Sequence, residues 1–438
     1  MRERLEDYVA WHAAERGEHV AVACGDERIS YRQLLDRARE RASLLKEQEG
    51  KAVTLRAMPG IDFVVTYLGT HLAGKAFVPL ERDIPDGKLE EIRQLAETTH
   101  VPPGVVDILF TTGTTGRQKG TMLSQRAIVA NGENLIAAQG FHPGLTFIIS
   151  GPLNHIGSLS KLWPTLMVGG TAVITEGLKD LSAFYQALEK HPGRLATFLV
   201  PASLRFLMRF DKERWSTCTD RFELIETGAA PMSQSDMEEL ASLFPDTRLY
   251  NTYASTETGI VCTHDYCHEG CLAGCLGKPM KHARVSISPE GTIICQGPML
   301  MSGYLGDQAL TDSVLRDGSL HTNDLGTIDP QGRLRLEGRK GDVINTGGYK
   351  VSPVEVEQAA MAFPGITDCV CLSCHHPVME NVLKLIYVPT AEKDFRQADL
   401  VAHLKRNLEP YKVPTLYETA LSIHRTYNGK LDRKAYGQ

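Results

Sequence analysis

The sequence predicts an α/β protein in which a large N-terminal domain of α/β layers with a β-rich subdomain is followed by a small α+β C-terminal domain. Three observations predict it. Apolar strand-like runs alternate with helix-period runs up to about residue 230, and beyond about residue 260 the texture changes to short strand-like runs broken by turns. A glycine-rich charged stretch at 338–342 then separates both from a mixed tail. A chain of 438 residues is longer than one core usually serves, which favours a large and a small domain. The expected division is 1–338 for the N-terminal core, 339–342 for a hinge and 343–438 for the C-terminal domain.

Taken in order, Leu5, Tyr8, Val9 and His12 recur at helical spacing, 19–24 has the apolar character of a strand, and a second helical pattern opens at 31–35 after a turn at Gly25-Asp26. Runs 52–55 and 76–80 bracket a helical stretch carrying Val64, Val65, Tyr67 and Leu68, and strand, helix, strand implies a parallel layer. Runs 105–110, 146–150, 195–200 and 224–226 each end in a polar or glycine-rich loop, and 127–138 is helical. Ligands of open α/β sheets gather at the carboxyl ends of strands, so these four loops are expected to converge on one site. Short strands follow at 284–288, 291–295 and 333–336, and helix signals occur at 353–357 and 398–407. There is no internal repeat.

Composition excludes several functions. A net charge of -6 offers no basic surface for a phosphate backbone, so nucleic acid is not an expected partner. Glu3, Glu6 and Asp7 interrupt the place where a secretory signal carries its apolar segment, and no stretch is long and uncharged enough to span a membrane. A cytoplasmic protein with reduced thiols is expected from its ten unevenly spaced cysteines.

The strongest chemical signal is Phe110-Thr111-Thr112-Gly113-Thr114-Thr115-Gly116-Arg117-Gln118-Lys119-Gly120, between an apolar strand and a helix. Glycines let backbone N–H groups curve around a polyphosphate, hydroxyls donate to its oxygens, and Lys119 adds charge. The spacing is not that of a Walker A loop. This segment resembles the phosphate loop of the adenylate-forming superfamily of acyl-CoA ligases, adenylation domains and luciferases, with Gln118 where proline is usual.

Further matches follow in the family's order. Gly228-Ala229-Ala230-Pro231 resembles its adenine-side turn, and Asn251-Thr252-Tyr253-Ala254-Ser255-Thr256-Glu257 its Tyr-Gly-any-Thr-Glu motif, with Ala254 for glycine. The resemblance implies Tyr253 against adenine, Thr256 on the α-phosphate, and Glu257 holding magnesium. Thr322-Asn323-Asp324-Leu325-Gly326 resembles the segment whose aspartate accepts both ribose hydroxyls, and Arg339 matches an arginine of the ribose and phosphate region. Asn323 stands where glycine is usual, and because both tolerate left-handed angles the turn is expected to survive. Gly347, Gly348, Tyr349 and Lys350 resemble the loop lining the thiol tunnel, and Lys430, after Asn428-Gly429, the terminal catalytic lysine. The pivot position, two residues after Arg339, is Gly341.

The implied activity is ATP-dependent and magnesium-assisted: a small carboxylic acid is joined to AMP, then passed to a thiol. No carrier domain follows Lys430, so coenzyme A is the expected acceptor, with the phosphopantetheine of a free-standing carrier protein as the alternative. A nucleotide-binding protein without turnover is the alternative of another class, and it would have no need of Lys430. Asn154, His155 and Ser158, with Ser255, are the implied acid pocket; the absence of aspartate from 151–163 disfavours an α-amino acid and leaves aliphatic and aromatic acids open. Only about two dozen residues separate Leu80 from Val105, fewer than in the family, so part of the N-terminal region is trimmed. Cys262, Cys267, Cys271 and Cys275 with His264 and His268 could hold a structural zinc ion, although their spacing is not that of paired Cys-x-x-Cys knuckles.

Overall fold

The computed structural model describes residues 2–112, 118–178, 180–191, 193–346, 349–376, 380–390, 395–426 and 431–437. The main sheet is laid down by the alternation seen in the sequence. Strands Val20–Cys24, Thr171–Ile174, Thr146–Ile149, Leu195–Phe198, Phe222–Gly228 and Arg248–Ser255 lie side by side and parallel, in that spatial order. Their near-continuous burial is what a sheet covered on both faces requires. Helix Ile156–Val168 covers one face, burying Leu159, Leu162, Trp163 and Leu166. Helix Tyr31–Glu47 starts at a reciprocal capping box between Ser30 and Gln33, and Gln125–Gln139 stops at left-handed Gly140.

The β-rich region expected after residue 260 exists, but it continues the main sheet. Gly259–Asp265 folds back antiparallel on Arg248–Ser255, and Cys275–Pro279, Leu334–Arg339, Ser319–Ile328, Thr292–Gln296 and Arg284–Ile287 extend the same sheet outward. Short turns join Arg284–Ile287 to Thr292–Gln296 and Ser319–Ile328 to Leu334–Arg339, which is the antiparallel habit; the parallel part needs helical crossovers.

The phosphate-loop strand is a correction to the four-strand convergence. Val105–Thr112 belongs to a second sheet with Ala52–Arg56 and Ala76–Leu80, apart from the other three strands. A strand, Gln118–Ser124, also intervenes before the expected helix and pairs antiparallel with Val105–Thr112, placing Lys119 opposite Thr111. Gly120 permits this hairpin, because a Cβ there would stand 3.0 Å from the Phe110 ring. Gly303–Tyr304 completes the second sheet at its edge by pairing with Gln118–Ser124.

A small C-terminal domain follows. Strands Ile366–His376, Glu380–Pro389 and Leu416–Thr419 with helices Pro353–Met361 and Gln397–Asn407 enclose their own core of Val356, Leu385, Leu400 and Leu404. The expected linker at 338–342 is narrower than the sequence suggested. Gly338 and Arg339 complete a strand paired with Leu325 and Asp324, which leaves a turn over 340–342. The small domain docks where Arg209 donates to the Thr367 carbonyl at 2.9 Å and Arg205 approaches Asp368 at 3.7 Å. Among the described residues no helix is long and apolar enough to cross a membrane.

Candidate active site

Three groups of expected site residues lie at the edge of the parallel strands and the start of the antiparallel extension. On the first, Tyr253 of strand Arg248–Ser255 donates its hydroxyl to Asp324 Oδ2 at 2.7 Å, and Arg339 Nε donates to Asp324 Oδ1 at 2.8 Å. Asp324 and Arg339 are cross-strand partners, so the register of two strands fixes the ion pair. Burial first, and then the Asp324 charge, push the Tyr253 phenol well above its ordinary range, so it stays a donor. Asn323 does not take left-handed angles: it lies inside strand Ser319–Ile328, where its carbonyl accepts from Lys340 N at 2.8 Å, so no glycine is needed there.

The second group lies on the hairpin turn after Ser255. Ser255 and Thr258 bond reciprocally between side chain and backbone, and left-handed Gly259 closes the turn against Asn131. Buried Thr256 and half-buried Glu257 are held at its tip. Glu257 Oε1 accepts from the Tyr304 hydroxyl at 3.0 Å, and Lys119 Nζ stands 5.4 Å from the centre of the same ring. Tyr304 therefore joins the phosphate-loop strand of one sheet to the Glu257 turn of the other. Sequence reasoning missed it, and the available signal was slight: a tyrosine in a turn-rich segment, whose hydroxyl needs a partner once the ring is buried.

The third group faces the acid-pocket segment. Asn154 and Ser158 are buried, Asn154 Nδ2 is 3.3 Å from His155 Nε2, and Ser158 packs on Gly151. The Phe198 ring fills the space beside Gly157 and Gly228, where added Cβ atoms would stand 3.2 Å and 3.6 Å from it. Behind that ring Lys161 and Glu226 form a buried ion pair. Phe198, Lys161 and Glu226 were also missed, because an apolar strand end and single charges in buried runs carry no motif.

Other expected residues are placed as follows. Gly228 ends its strand where a Cβ would meet the Thr252 carbonyl at 2.7 Å, and Ala229 has φ 67°, a left-handed angle that costs a non-glycine residue about 1–2 kcal/mol. Ala230 follows it, half-buried. Asn251 is not brought to the nucleotide groups: its amide donates to the Cys275 carbonyl at 3.0 Å, because it faces the neighbouring strands. Tyr349 is exposed and stacks on Tyr411 at 4.3 Å, and Lys350 is exposed beside it. Gly113, Thr114, Thr115, Gly116, Gly347, Gly348, Lys430 and the Thr112 side chain lie outside the described residues.

Packing separates cysteines that the sequence offered as a possible, unfavoured zinc site. Cys262 is buried in the same core as Leu159 and Trp163, whereas Cys267 donates to the Phe244 and Pro245 carbonyls and Cys271 to Tyr266 O, against a separate core around Phe244 and Tyr266. Among the described residues no three His, Cys, Asp or Glu side chains form a metal-holding group. The strand turns Cys262 inward while the following turn carries Cys267 and Cys271 elsewhere, so proximity in sequence does not become convergence.

Residues 9–102 and 93–305 match the AMP-binding enzyme family, and 355–430 match the AMP-binding enzyme C-terminal domain. The chain belongs to the AMP-binding enzyme family. The two N-terminal matches meet at 93–102, within the stretch that the sequence shows to be short. Similar proteins include a feruloyl-CoA synthase of Amycolatopsis sp, 28% identical over 365 residues covering 80% of this chain and 72% of the relative. A 2-succinylbenzoate–CoA ligase of Staphylococcus epidermidis is 28% identical over 345 residues, covering 75% and 69%. The fold is that of ATP-bound MatB from Rhodopseudomonas palustris, with TM-score 0.88, 22% identity, and coverage of 100% of this chain and 98% of that one.

Proposed function

We propose that this AMP-binding enzyme is an ATP-dependent carboxylic acid ligase that forms an acyl-adenylate and transfers the acyl group to coenzyme A. The observation that carries the reading is that one strand and the turn after it carry two groups of expected nucleotide residues: Tyr253 bonded to Asp324, which also pairs with Arg339, and Glu257 bonded to Tyr304, whose ring centre lies 5.4 Å from Lys119 Nζ. The names of the feruloyl-CoA and succinylbenzoate–CoA relatives support coenzyme A as the acceptor.

In the first half-reaction an oxygen of the acid carboxylate attacks the α-phosphorus of ATP, and pyrophosphate leaves with the electron pair of the broken P–O bond. Two anions must approach, so neutralisation is the main requirement. Lys119, Arg339 and Lys430 supply positive charge, and the hydroxyls of Thr111, Thr114 and Thr115 supply donors; one preorganised donor is worth about 3–4 kcal/mol. Asp324 is an acceptor suited to a vicinal diol, and ribose hydroxyls would take over contacts that Tyr253 and Arg339 make to it.

Magnesium fits the Glu257 position, since such an ion needs only one or two carboxylates beside phosphate oxygens, and the Tyr304 bond engages only Oε1 of Glu257. Glu257 would hold it, where it would neutralise phosphate charge, and Thr256 would offer its hydroxyl to the α-phosphate. In the second half-reaction the thiolate of coenzyme A attacks the acyl carbonyl and AMP leaves. Tyr349 and Lys350 are assigned to the thiol's approach, with Gly341 as the pivot that changes the C-terminal domain between steps.

The test is ATP–pyrophosphate exchange over a panel of aliphatic and aromatic acids, followed by coenzyme A consumption with the best acid. Acid-dependent exchange and thioester formation are expected. Nucleotide binding without exchange for any acid would leave a binding protein lacking turnover.

A further inference from the structure

The segment 301–305 is tied at one end to the Glu257 turn and at the other to the strand that carries Lys119. Met301 N donates to the Glu257 carbonyl at 2.9 Å, Ser302 N to the Met122 carbonyl at 2.8 Å and Leu305 N to the Gly120 carbonyl at 2.7 Å. Gly303 lets the segment pass, because its φ is 136° and a Cβ there would stand 2.8 Å from Thr311 Cγ2. Thr311 Oγ1 then accepts from Tyr304 N at 2.9 Å. Tyr304 is the cross-strand partner of Thr121, and Lys119, two residues back on that strand, shares its face as a diagonal neighbour within reach of a long side chain.

The backbone thus sets where Glu257 and Lys119 begin, and one side chain meets both of their charges. The buried Tyr304 donates its hydroxyl to Glu257 Oε1 at 3.0 Å, and Lys119 Nζ lies over its ring, 5.4 Å from the centre. Burial first, and then the Glu257 charge, raise the phenol above its ordinary range, so it stays a donor. Among the described residues neither Glu257 nor Lys119 has an ion-pair partner. Two opposite charges at one tyrosine, each without a counter-ion, are set for two different ligands.

We infer that Tyr304 is a positioning residue for the metal–nucleotide complex: its hydroxyl orients the Glu257 carboxylate for magnesium, and its ring holds the Lys119 ammonium for phosphate. A supporting hydrogen bond fixes the direction in which a carboxylate meets its metal. An aromatic ring attracts an ammonium through its quadrupole and brings no negative charge of its own, so the charge of Lys119 remains whole for phosphate. A carboxylate in the same place would hold Lys119 and neutralise it. Held at the ring and at the hydroxyl, Lys119 and Glu257 are also kept from neutralising each other.

This inference rests on the reading of Glu257 and Lys119 as nucleotide-side groups and deepens it, so the experiment is read on binding as well as on turnover. ATP affinity is measured by calorimetry with a chelator and over a range of magnesium concentrations, and pyrophosphate exchange gives the magnesium needed for half-maximal rate. Tyr304→Phe removes the hydroxyl and keeps the ring. Its magnesium requirement is expected to rise about 10- to 100-fold in both measurements, while metal-free ATP affinity stays within about twofold of wild type. In Tyr304→Leu the metal-free affinity should fall as well, by about three- to tenfold. In a Glu257→Gln background Tyr304→Phe should move the magnesium requirement no further, because the two changes break one interaction. An unchanged magnesium requirement in Tyr304→Phe, or a full second shift on top of Glu257→Gln, would overturn the inference. So would a metal-free affinity that falls in Tyr304→Phe as far as the magnesium affinity does, since the ring is still present. Thermal unfolding shows whether Tyr304→Leu is folded, and if it is not, the phenylalanine variants decide. Absence of exchange with every acid would remove the ligase reading, whereas the calorimetric measurements would still decide the part played by Tyr304.

Discussion

The Glu6–His71–Asp107 grouping and the Tyr253–Asp324–Arg339 grouping are built from the same parts, carboxylates with a cation and a phenol, yet they differ in what they can exchange. In the first, His71 donates from Nδ1 to Glu6 at 2.7 Å and from Nε2 to Asp107 at 2.8 Å, and no side chain of the three exceeds 2% exposure. Tyr67 adds a bond to Asp107 at 3.0 Å, Trp163 donates to Tyr67 at 2.9 Å, and Gln125 donates to Glu6 at 2.7 Å. In the second, Asp324 is equally well bonded, but the Arg339 side chain is 52% exposed at the edge of the small domain. A sealed network cannot trade a partner for a ligand; one closed by a half-exposed arginine can. The first therefore holds the phosphate-loop strand in place, while the second is available to a nucleotide.

The largest expected effect comes from the residue that the family resemblance makes the catalytic lysine. Lys430→Ala is expected to lower acid-dependent pyrophosphate exchange about 10²–10³-fold, the size found for a single preorganised donor, while ATP binding is largely spared. Near wild-type exchange would remove Lys430 from the chemistry.

Next in size is the sealed grouping. His71→Leu leaves Glu6 and Asp107 facing each other without a cation, and such a loss costs about 3–5 kcal/mol, read as a fall in the denaturation midpoint. Although burial opposes its charge, Asp107 and Glu6 hold His71 protonated with a pKa raised to about 9, with Tyr67 and Arg4 as the other titratable neighbours. Because the folded value lies above the unfolded one of about 6.5, the stabilisation is complete below that pH. It declines as the pH rises and is lost on passing through about 9. The stability gap between wild type and His71→Leu should narrow over that window; a gap independent of pH would mean that His71 is neutral there.

At the open grouping the effect should fall on ligand affinity and leave folding nearly intact. Asp324→Asn replaces an acceptor of charge-assisted bonds and should weaken ATP by about 1.5–3 kcal/mol, measured by calorimetric titration. Glu257→Gln should raise the magnesium concentration needed for half-maximal exchange. If Asp324→Asn lowered stability as much as His71→Leu did, the two groupings would be of one kind and the contrast would fail.

What could be read from the sequence follows the same division. Strand and helix periods were legible because burial writes itself into a local pattern, one apolar face at helix Tyr31–Glu47 and a continuous apolar run at strand Thr146–Ile149. The site motifs were legible where neighbouring residues act together, as at Thr256-Glu257. Tyr304, Lys161 and Glu226 were not, because their partners lie 47 and 65 residues away and only the sheet register brings them together. The split of Val105–Thr112 into a second sheet was hidden for the same reason: an apolar run does not say which sheet it joins. Asn251 shows the converse, a motif residue whose amide packing has claimed.

The smallest expected effect concerns the turn that joins the two domains. Asp342 N donates to the Arg339 carbonyl at 3.0 Å, so 339–342 is a hydrogen-bonded four-residue turn with Lys340 second and Gly341 third. Neither has a left-handed φ, which excludes the types that require one and leaves type I. A Cβ on Gly341 would meet nothing within 4 Å, so Gly341→Ala should keep this docking and both half-reactions. Proline at the third position forces the preceding residue out of the helical region, and Lys340 would then lose the angles that the turn needs and its bond to Asn323 O at 2.8 Å. The docking described here should therefore be lost in Gly341→Pro, while an arrangement with an extended Lys340 survives. If adenylation and thioester formation use different dockings, the ratio of pyrophosphate exchange to coenzyme A transfer should shift by at least about tenfold, or about 1.4 kcal/mol of difference between the two barriers. Equal losses in both rates, with Gly341→Ala harmless, would make the turn a structural corner and take the pivot away from Gly341.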